Sequence, residues 1–303
     1  MTRIVCIGEC MVEMAPQDTA GTYRMGFAGD TFNTAWYMSK LLGDRAKIGY
    51  FTAVGMDNVS DQMLDFLASS GIDTSAILRR PDRTVGLYMI QLQDGERSFS
   101  YWRGQSAARS LAQSGKDIAT ALDGADIAYF SGITLAILPE QDRDILMQEL
   151  QHFGARGGQV VFDPNLRPKL WADAGTMTSA VTQAAKCSHA VLPSHEDEAT
   201  WFGDATPLET AKRYSGLGAD TVVVKNGSGE IVLRTGTGTQ HLAPAPVPRV
   251  VDTTAAGDSF NAGFLAGICA GLPPQRAVEA AAQLAARVVM HRGALVPEAL
   301  DAR

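Results

Sequence analysis

The sequence predicts an α/β fold: a mainly parallel central sheet in a three-layer α/β/α arrangement, with a small β-sheet lid. Three observations point there. From Asp126 onward, short β-rich runs alternate with helical patterns, the rhythm of a parallel sheet covered on both faces. Two stretches, about 11–28 and 84–104, break that rhythm with extended runs, and we read them as two insertions that build one lid. A small-residue stretch near the C-terminus, Asp252-Thr253-Thr254-Ala255-Ala256-Gly257-Asp258, leads into a helix. At 303 residues, one α/β domain spanning 1–303 is expected rather than two equal halves.

In chain order, Arg3 to Gly8 reads as a buried strand ending in Gly, with Glu9 directly after it. Met11 to Gln17 and Thr22 to Phe27 are extended, and Ala28-Gly29-Asp30 opens a helix from about Thr31 to Leu42. Asp30 is a good N-cap, and Asn33 falls in the first turn. Ile48 to Val54 reads as one strand and Asp57 to Ser70 as a helix. Val85 to Leu92 and Arg97 to Trp102 form a hairpin around Asp94-Gly95, a strong turn signal. Tyr88, Tyr101, Trp102 and Arg103 make it richer in ligand-binding side chains than cross-strand pairing alone requires. Strands follow at Ile127 to Ser131, Gln159 to Asp163, Ala190 to Leu192 and Thr221 to Lys225. Helices lie near Glu140 to Phe153, Gly175 to Lys186, Asp197 to Phe202 and Pro207 to Leu217. A second hairpin, Glu230 to Arg234 with Thr239 to Leu242, precedes a connector carrying Pro244, Pro246 and Pro248. Helices from Asp258 to Ala270 and from Pro274 to Met290 close the chain.

Composition narrows the partners. The formal net charge is −7 and no Lys/Arg cluster stands out, which argues against nucleic acid or an anionic membrane. No apolar run approaches the ~20 residues needed to span a bilayer. The N-terminus has no signal-peptide pattern. Cys6, Cys10, Cys187 and Cys269 form no C-x-x-C pair, and no His lies at zinc-like spacing from them, so reduced thiols and a cytoplasmic location are expected.

The chemistry concentrates at residues 252–261. Ala255-Ala256-Gly257 would form the turn into a helix N-terminus, where unpaired N–H groups and the helix dipole suit a phosphate. Asp258, beside that site, should be stabilised as the charged form and stand ready to accept a hydroxyl proton. Together they suggest phosphoryl transfer to an alcohol, against the plainer reading of an ordinary helix start. Ligands in parallel sheets bind outside the carboxyl ends of strands. That draws in Gly8-Glu9, Ser131-Gly132, Asp163-Pro164-Asn165 with Arg167, and Lys225-Asn226-Gly227, whose backbone would approach a nucleotide. No Walker A loop occurs, and the first strand lacks G-x-G-x-x-G, which argues against a dinucleotide oxidoreductase.

Asp252-Thr253-Thr254-Ala255-Ala256-Gly257-Asp258-Ser259-Phe260 resembles the C-terminal signature of the PfkB, or ribokinase-like, carbohydrate kinases. Ala28-Gly29-Asp30 with Asn33 is similar to that family's sugar-binding region, and the resemblance covers essentially the whole chain. Within the family the chain looks most like the 2-keto-3-deoxygluconate kinases. This rests on Glu96 to Arg103, Ser131 to Ala136, Phe162 to Trp171 and Leu192 to Glu198. The resemblance implies a ribokinase-like fold and ATP-dependent phosphorylation of 2-keto-3-deoxygluconate to its 6-phosphate, with Asp258 as base and Ala255, Ala256 and Gly257 as anion hole. Gly29, Asp30, Asn33, Tyr88, Tyr101, Arg103 and Arg167 would bind the substrate. Ser194, Lys225, Gly227, Thr254 and Gly257 would bind ATP.

Magnesium should bridge the ATP phosphates. Many relatives carry Asn-x-x-Glu where this chain has Ser194-His195-Glu196-Asp197, so its organising residue is Asp197 or Glu198. Asp252 and Thr254 match the family's monovalent-cation positions, for an ion such as K⁺. Two arginines suit a planar carboxylate and have no reason to meet a neutral sugar. The open alternatives are a kinase for fructose, ribose, a nucleoside or a related deoxy-keto acid, and a non-catalytic sugar-binding protein. Exposed strand edges of the lid would favour a homo-oligomer.

Overall fold

In the computed structural model, residues 1–19, 21–93 and 96–300 are described. Strand β1 (Thr2–Ile7) leads into β2 (Met11–Pro16) and β3 (Tyr23–Ala28), then helix α1 (Asp30–Leu42), β4 (Ala46–Phe51), β5 (Ala53–Val54), α2 (Asn58–Ser69), β6 (Leu78–Arg79), β7 (Gly86–Gln93) and β8 (Glu96–Trp102). There follow α3 (Gly115–Ala121), β9 (Ile127–Ser131), α4 (Gly132–Ile137), α5 (Glu140–Ala155), β10 (Gln159–Asp163), α6 (Ala174–Lys186), β11 (Ala190–Val191), α7 (His195–Phe202) and α8 (Pro207–Gly216). The chain ends with β12 (Thr221–Val224), β13 (Ile231–Thr235), β14 (Gly238–Leu242), α9 (Ala256–Cys269) and α10 (Pro274–Val288).

The central sheet has eight strands in the order β14-β13-β12-β11-β10-β9-β1-β4. β4 through β12 are parallel, and β13 and β14 add antiparallel at one edge. Alternate residues of its strands feed two separate cores, which is what makes the fold three-layered. In β1, Ile4 and Cys6 join the core under α1, α9 and α10, whereas Val5 and Ile7 join the core under α5 and α6. β9 repeats the division, with Tyr129 on the first side and Phe130 on the second, where Phe130 stacks on Phe162 of β10 at 4.8 Å.

A second sheet of four strands runs β3-β2-β7-β8. It draws on the segments around 11–28 and 84–104, with β2 and β7 paired in parallel between two antiparallel pairs. The expected Asp94-Gly95 turn lies outside the described residues. One face of this sheet turns Met11, Ala28, Tyr88 and Ile90 toward Ala255 and Ala294.

The structure corrects some expected boundaries. Ile48 to Val54 is not one strand: the chain leaves the central sheet after Phe51, and Ala53–Val54 pairs with Leu78–Arg79 instead. The expected second hairpin does form, and it lies at the edge of the main sheet, where β13 pairs with β12. Gly29, not Asp30, caps α1. A Cβ at Gly29 would stand 2.1 Å from the carbonyl oxygen of Glu9, so the helix starts against the chain leaving β1. Among the described residues no helix is long and apolar enough to cross a membrane.

Candidate active site

The start of α9 offers the open backbone donors that an anion cradle needs. Its N-cap, Ala255, has φ 57° and ψ 16° and makes no side-chain capping bond, which leaves first-turn N–H groups open to an anion. Of the three expected donors, the Ala256 N–H is already given to Thr253 O at 3.2 Å. A Cβ on Gly257 would meet only the Lys225 Nζ, at 3.7 Å. Ala255 and Asn165 are the two non-glycine residues with positive φ among those described, and both border this site. A left-handed Ala costs roughly 1–2 kcal/mol, and such strain tends to sit where function holds it.

Behind the cradle, Asp252 ties down the loop. Its Oδ1 accepts from the Thr254 N–H at 3.0 Å and the Thr254 hydroxyl at 2.7 Å, and its Oδ2 accepts from the Gly293 N–H at 2.8 Å.

Three Asp–Asn pairs stitch α1, the end of β10 and α9 together. Asn33 Nδ2 donates to Asp258 Oδ2 at 2.8 Å, Asn165 Nδ2 to Asp30 Oδ2 at 2.8 Å, and Asn261 Nδ2 to Asp163 Oδ2 at 2.7 Å. Lys225, at the end of β12, reaches Asn261 Oδ1 at 3.0 Å and Asp163 Oδ2 at 3.3 Å. Asp30, Asn33 and Asp258, far apart in sequence, thus meet at one place.

This crowding corrects one expectation. The helix dipole does not hold Asp258 in its charged form. Burial, and then the charges of Asp30 and Asp163, push its carboxyl up to about 8, against the Asn33 hydrogen bond and Lys225. A helix N-terminus is worth ~2 kcal/mol at best, less than desolvation beside two like charges costs. Asp30 is raised as well, first by burial.

Beside the cradle lies a cavity of about 710 Å³. Ser194, Lys225, Gly227, Ala256 and Gly257 line its polar end, and Val247, Val250, Phe260, Ala282 and Val289 are among its apolar walls. The ends of β11 and β12 are locked there by Lys225 N–H to Pro193 O and His195 N–H to Lys225 O, both 2.8 Å.

Of the two candidate metal-organising residues, Glu198 is fully buried and engaged by Arg213 at 2.6 Å and the Tyr214 hydroxyl at 2.9 Å. Asp197 lies 3.6 Å from Arg167, and the charges of Asp163 and Lys225 reach it.

The remaining expected residues lie on the small sheet and the loop after β10. Tyr88 is buried and donates its hydroxyl to Glu13, while Tyr101 is exposed. Their rings lie 6.0 Å apart, and the Arg103 guanidinium lies 6.0 Å from the Tyr101 ring. Arg103 is buried against Glu9, whereas Arg167 is half exposed.

Sequence reasoning drew in Glu9 and Asp163 only as strand-end residues, without a specific role, and passed over Asn261. For Asn261 a signal existed: it stands three residues after Asp258, on the same face of an otherwise apolar helix, where a buried amide requires partners.

An uncapped helix N-terminus beside a cavity of about 710 Å³, with a half-buried carboxylate linked to a second helix, is the arrangement that phosphoryl transfer needs. The model of the pfkB family carbohydrate kinases matches residues 1–299. The chain is 37% identical over 303 residues to a 2-dehydro-3-deoxygluconokinase of Haemophilus influenzae, covering 98% of this chain and 96% of that protein. It is 36% identical over 308 residues to the 2-dehydro-3-deoxygluconokinase of Escherichia coli K12, covering 99% of each. The crystal structure of a PfkB protein from Polaromonas sp. JS666 is similar, with a TM-score of 0.85 at 28% identity over 95% of each chain. The chain belongs to the pfkB family of carbohydrate kinases and has its ribokinase-like fold.

Proposed function

We propose that this enzyme uses ATP to phosphorylate 2-keto-3-deoxygluconate (2-dehydro-3-deoxygluconate) on its terminal hydroxyl, giving the 6-phosphate. The observation that carries this reading is Asp258: half-buried, in the uncapped first turn of α9, and bonded to Asn33 of α1. Similarity to two 2-dehydro-3-deoxygluconokinases over nearly the full length supports the substrate.

ATP occupies the 710 Å³ cavity, with Ser194, Lys225 and Gly227 at its polar end and its terminal phosphate toward Gly257. The uncapped helix start fits that anion. The substrate hydroxyl forms a bond to the γ-phosphorus as the bond to the ADP oxygen breaks, and Asp258 takes the hydroxyl proton. A base with a pKa near the working pH is well matched to that task. Magnesium, when bound with ATP, neutralises phosphate charge. Asp197 is our choice for its organiser, because Glu198 is committed to Arg213 and Tyr214. A monovalent cation such as K⁺ belongs to the same reading, at the loop held by Asp252 and Thr254.

Gly29, Asp30 and Asn33 face the sugar from α1, and the small sheet brings Tyr88, Tyr101 and Arg103 over it as a lid. Arg103 and Arg167 meet the substrate carboxylate. Tyr23, Met25, Phe99, Tyr101 and Trp102 are exposed on β3 and β8, the outer strands of that sheet, which supports a homo-oligomer formed through it. Four free cysteines support a reducing, cytoplasmic setting.

Arg167→Leu tests the acid-binding role. Its exposed contact with Asp197 is worth little to stability, so the variant should fold. Loss of a charge-assisted contact should raise KM for the keto-acid by roughly 10- to 100-fold and leave any residual turnover of fructose or ribose within about threefold. Equal losses for acid and neutral sugars would contradict the assignment.

A further inference from the structure

Arg103 does not wait alone for a substrate. Glu9, the second residue after β1, reaches it across the start of β7, and its carboxylate pairs with the Arg103 Nη2. The pair is enclosed: the Glu9 side chain is 1% exposed and that of Arg103 10%. Both carboxylate oxygens of Glu9, and Nε and Nη2 of Arg103, are buried with no further hydrogen-bond partner among the described residues. The space for the pair exists because residue 86 is glycine. A Cβ there would stand 2.9 Å from Glu9 Oε1 and 3.2 Å from the Arg103 Cβ. The Glu9 carbonyl, meanwhile, is the wall against which Gly29 packs. One residue thus backs both the start of α1 and the guanidinium.

Protein closes off the Nε side of the Arg103 guanidinium, and Glu9 holds its Nη2. The long arginine side chain has several rotamers to lose, so an anchor that fixes it beforehand lowers what the substrate must spend in ordering it. We propose that Glu9 is a positioning residue, which holds Arg103 in the orientation that receives the carboxylate of an acidic sugar. This rests on the kinase reading above, in which Arg103 meets that carboxylate. Glu9 acts through Arg103 and touches neither ATP nor the reacting hydroxyl, so its loss falls on KM for the acid and spares kcat.

The test is steady-state kinetics of the full-length enzyme with 2-keto-3-deoxygluconate and ATP, comparing wild type, Glu9→Leu, Glu9→Gln, Arg103→Met and Glu9→Leu/Arg103→Met. Glu9→Leu should raise KM for the acid by at least about 10-fold, with kcat and KM for ATP within about threefold. Glu9→Gln keeps an acceptor oxygen for Nη2 and should recover most of that loss. In the Arg103→Met background Glu9→Leu should change nothing, because there is no guanidinium left to orient. An unchanged KM in Glu9→Leu overturns the proposal, as does an effect that persists without Arg103. If Glu9→Leu does not fold, Glu9→Leu/Arg103→Met removes both buried charges and is compared with Arg103→Met alone. Equal KM values support the proposal, and a further rise beyond about threefold overturns it. A wild-type enzyme that fails to turn over the acid overturns the kinase reading itself, whereas an active wild type with a silent Glu9→Leu overturns only the role of Glu9.

Discussion

Asp258→Asn is expected to lower kcat by at least about 10²-fold and, at the same time, to make the unliganded protein more stable at pH 8. The first effect follows from removing the group that takes the hydroxyl proton. The second follows from the raised pKa. Between the unfolded value of about 3.9 and the folded value of about 8, the folded chain holds a proton that the unfolded chain has released. The stabilising contribution of this group is therefore complete below the unfolded pKa and is lost as pH rises through the folded one. Asparagine has no such dependence, and its amide oxygen can still accept from Asn33, now 2.8 Å from the carboxylate. The melting-temperature difference between variant and wild type should grow from pH 5 to pH 8. A constant difference, or one of opposite sign, would contradict the assigned shift. The same shift places the acid limb of kcat/KM for the sugar acid well above the ordinary carboxylate range.

Lys225→Met should be the most destabilising single change in the site. Lys225 is the cation that meets Asp163 and Asn261, in a cluster that also holds Asp30 and Asp258. Removing one partner of a buried charge pair costs about 3–5 kcal/mol, because the other charge is left uncompensated. For a chain of this size that corresponds to a fall in Tm on the order of 10 °C. Lys225 also opposes the rise of the Asp258 pKa, so its loss moves the acid limb of the rate profile further up. A second substitution, Asp163→Asn, should return much of the stability by neutralising the stranded carboxylate. A Tm within a degree or two of wild type for Lys225→Met would show that the cluster does not depend on this charge.

Much of this was legible in the chain because the signals were local. Strand and helix periods, the small residues before α9 and the helix opening at Gly29 each announce themselves within a dozen residues. Two kinds of fact were not. The charge state of Asp258 depends on Asp30 and Asp163, which the sequence scatters and only the fold gathers. The same holds for Glu9 and Arg103, brought together by the parallel pairing of β2 and β7 and by the missing side chain at Gly86. Local reasoning placed Asp258 on a helix dipole and inferred an ionised group. Burial and neighbouring charge, both long-range in sequence, reverse that inference. Glu198 makes the same point: its position beside Asp197 left the two interchangeable, and only the approach of Arg213 and Tyr214 from α8 separates them.

This pfkB kinase is expected to act on an acidic keto-sugar through Asp258 and its two arginines. The most direct measurement is ADP release by the wild-type enzyme with 2-keto-3-deoxygluconate, fructose and ribose compared side by side. We predict kcat/KM for the keto-acid to exceed that for either neutral sugar by at least about 10², the scale of losing a substrate group that the site is built to bind. ADP release with fructose or ribose and none with the keto-acid would contradict the account.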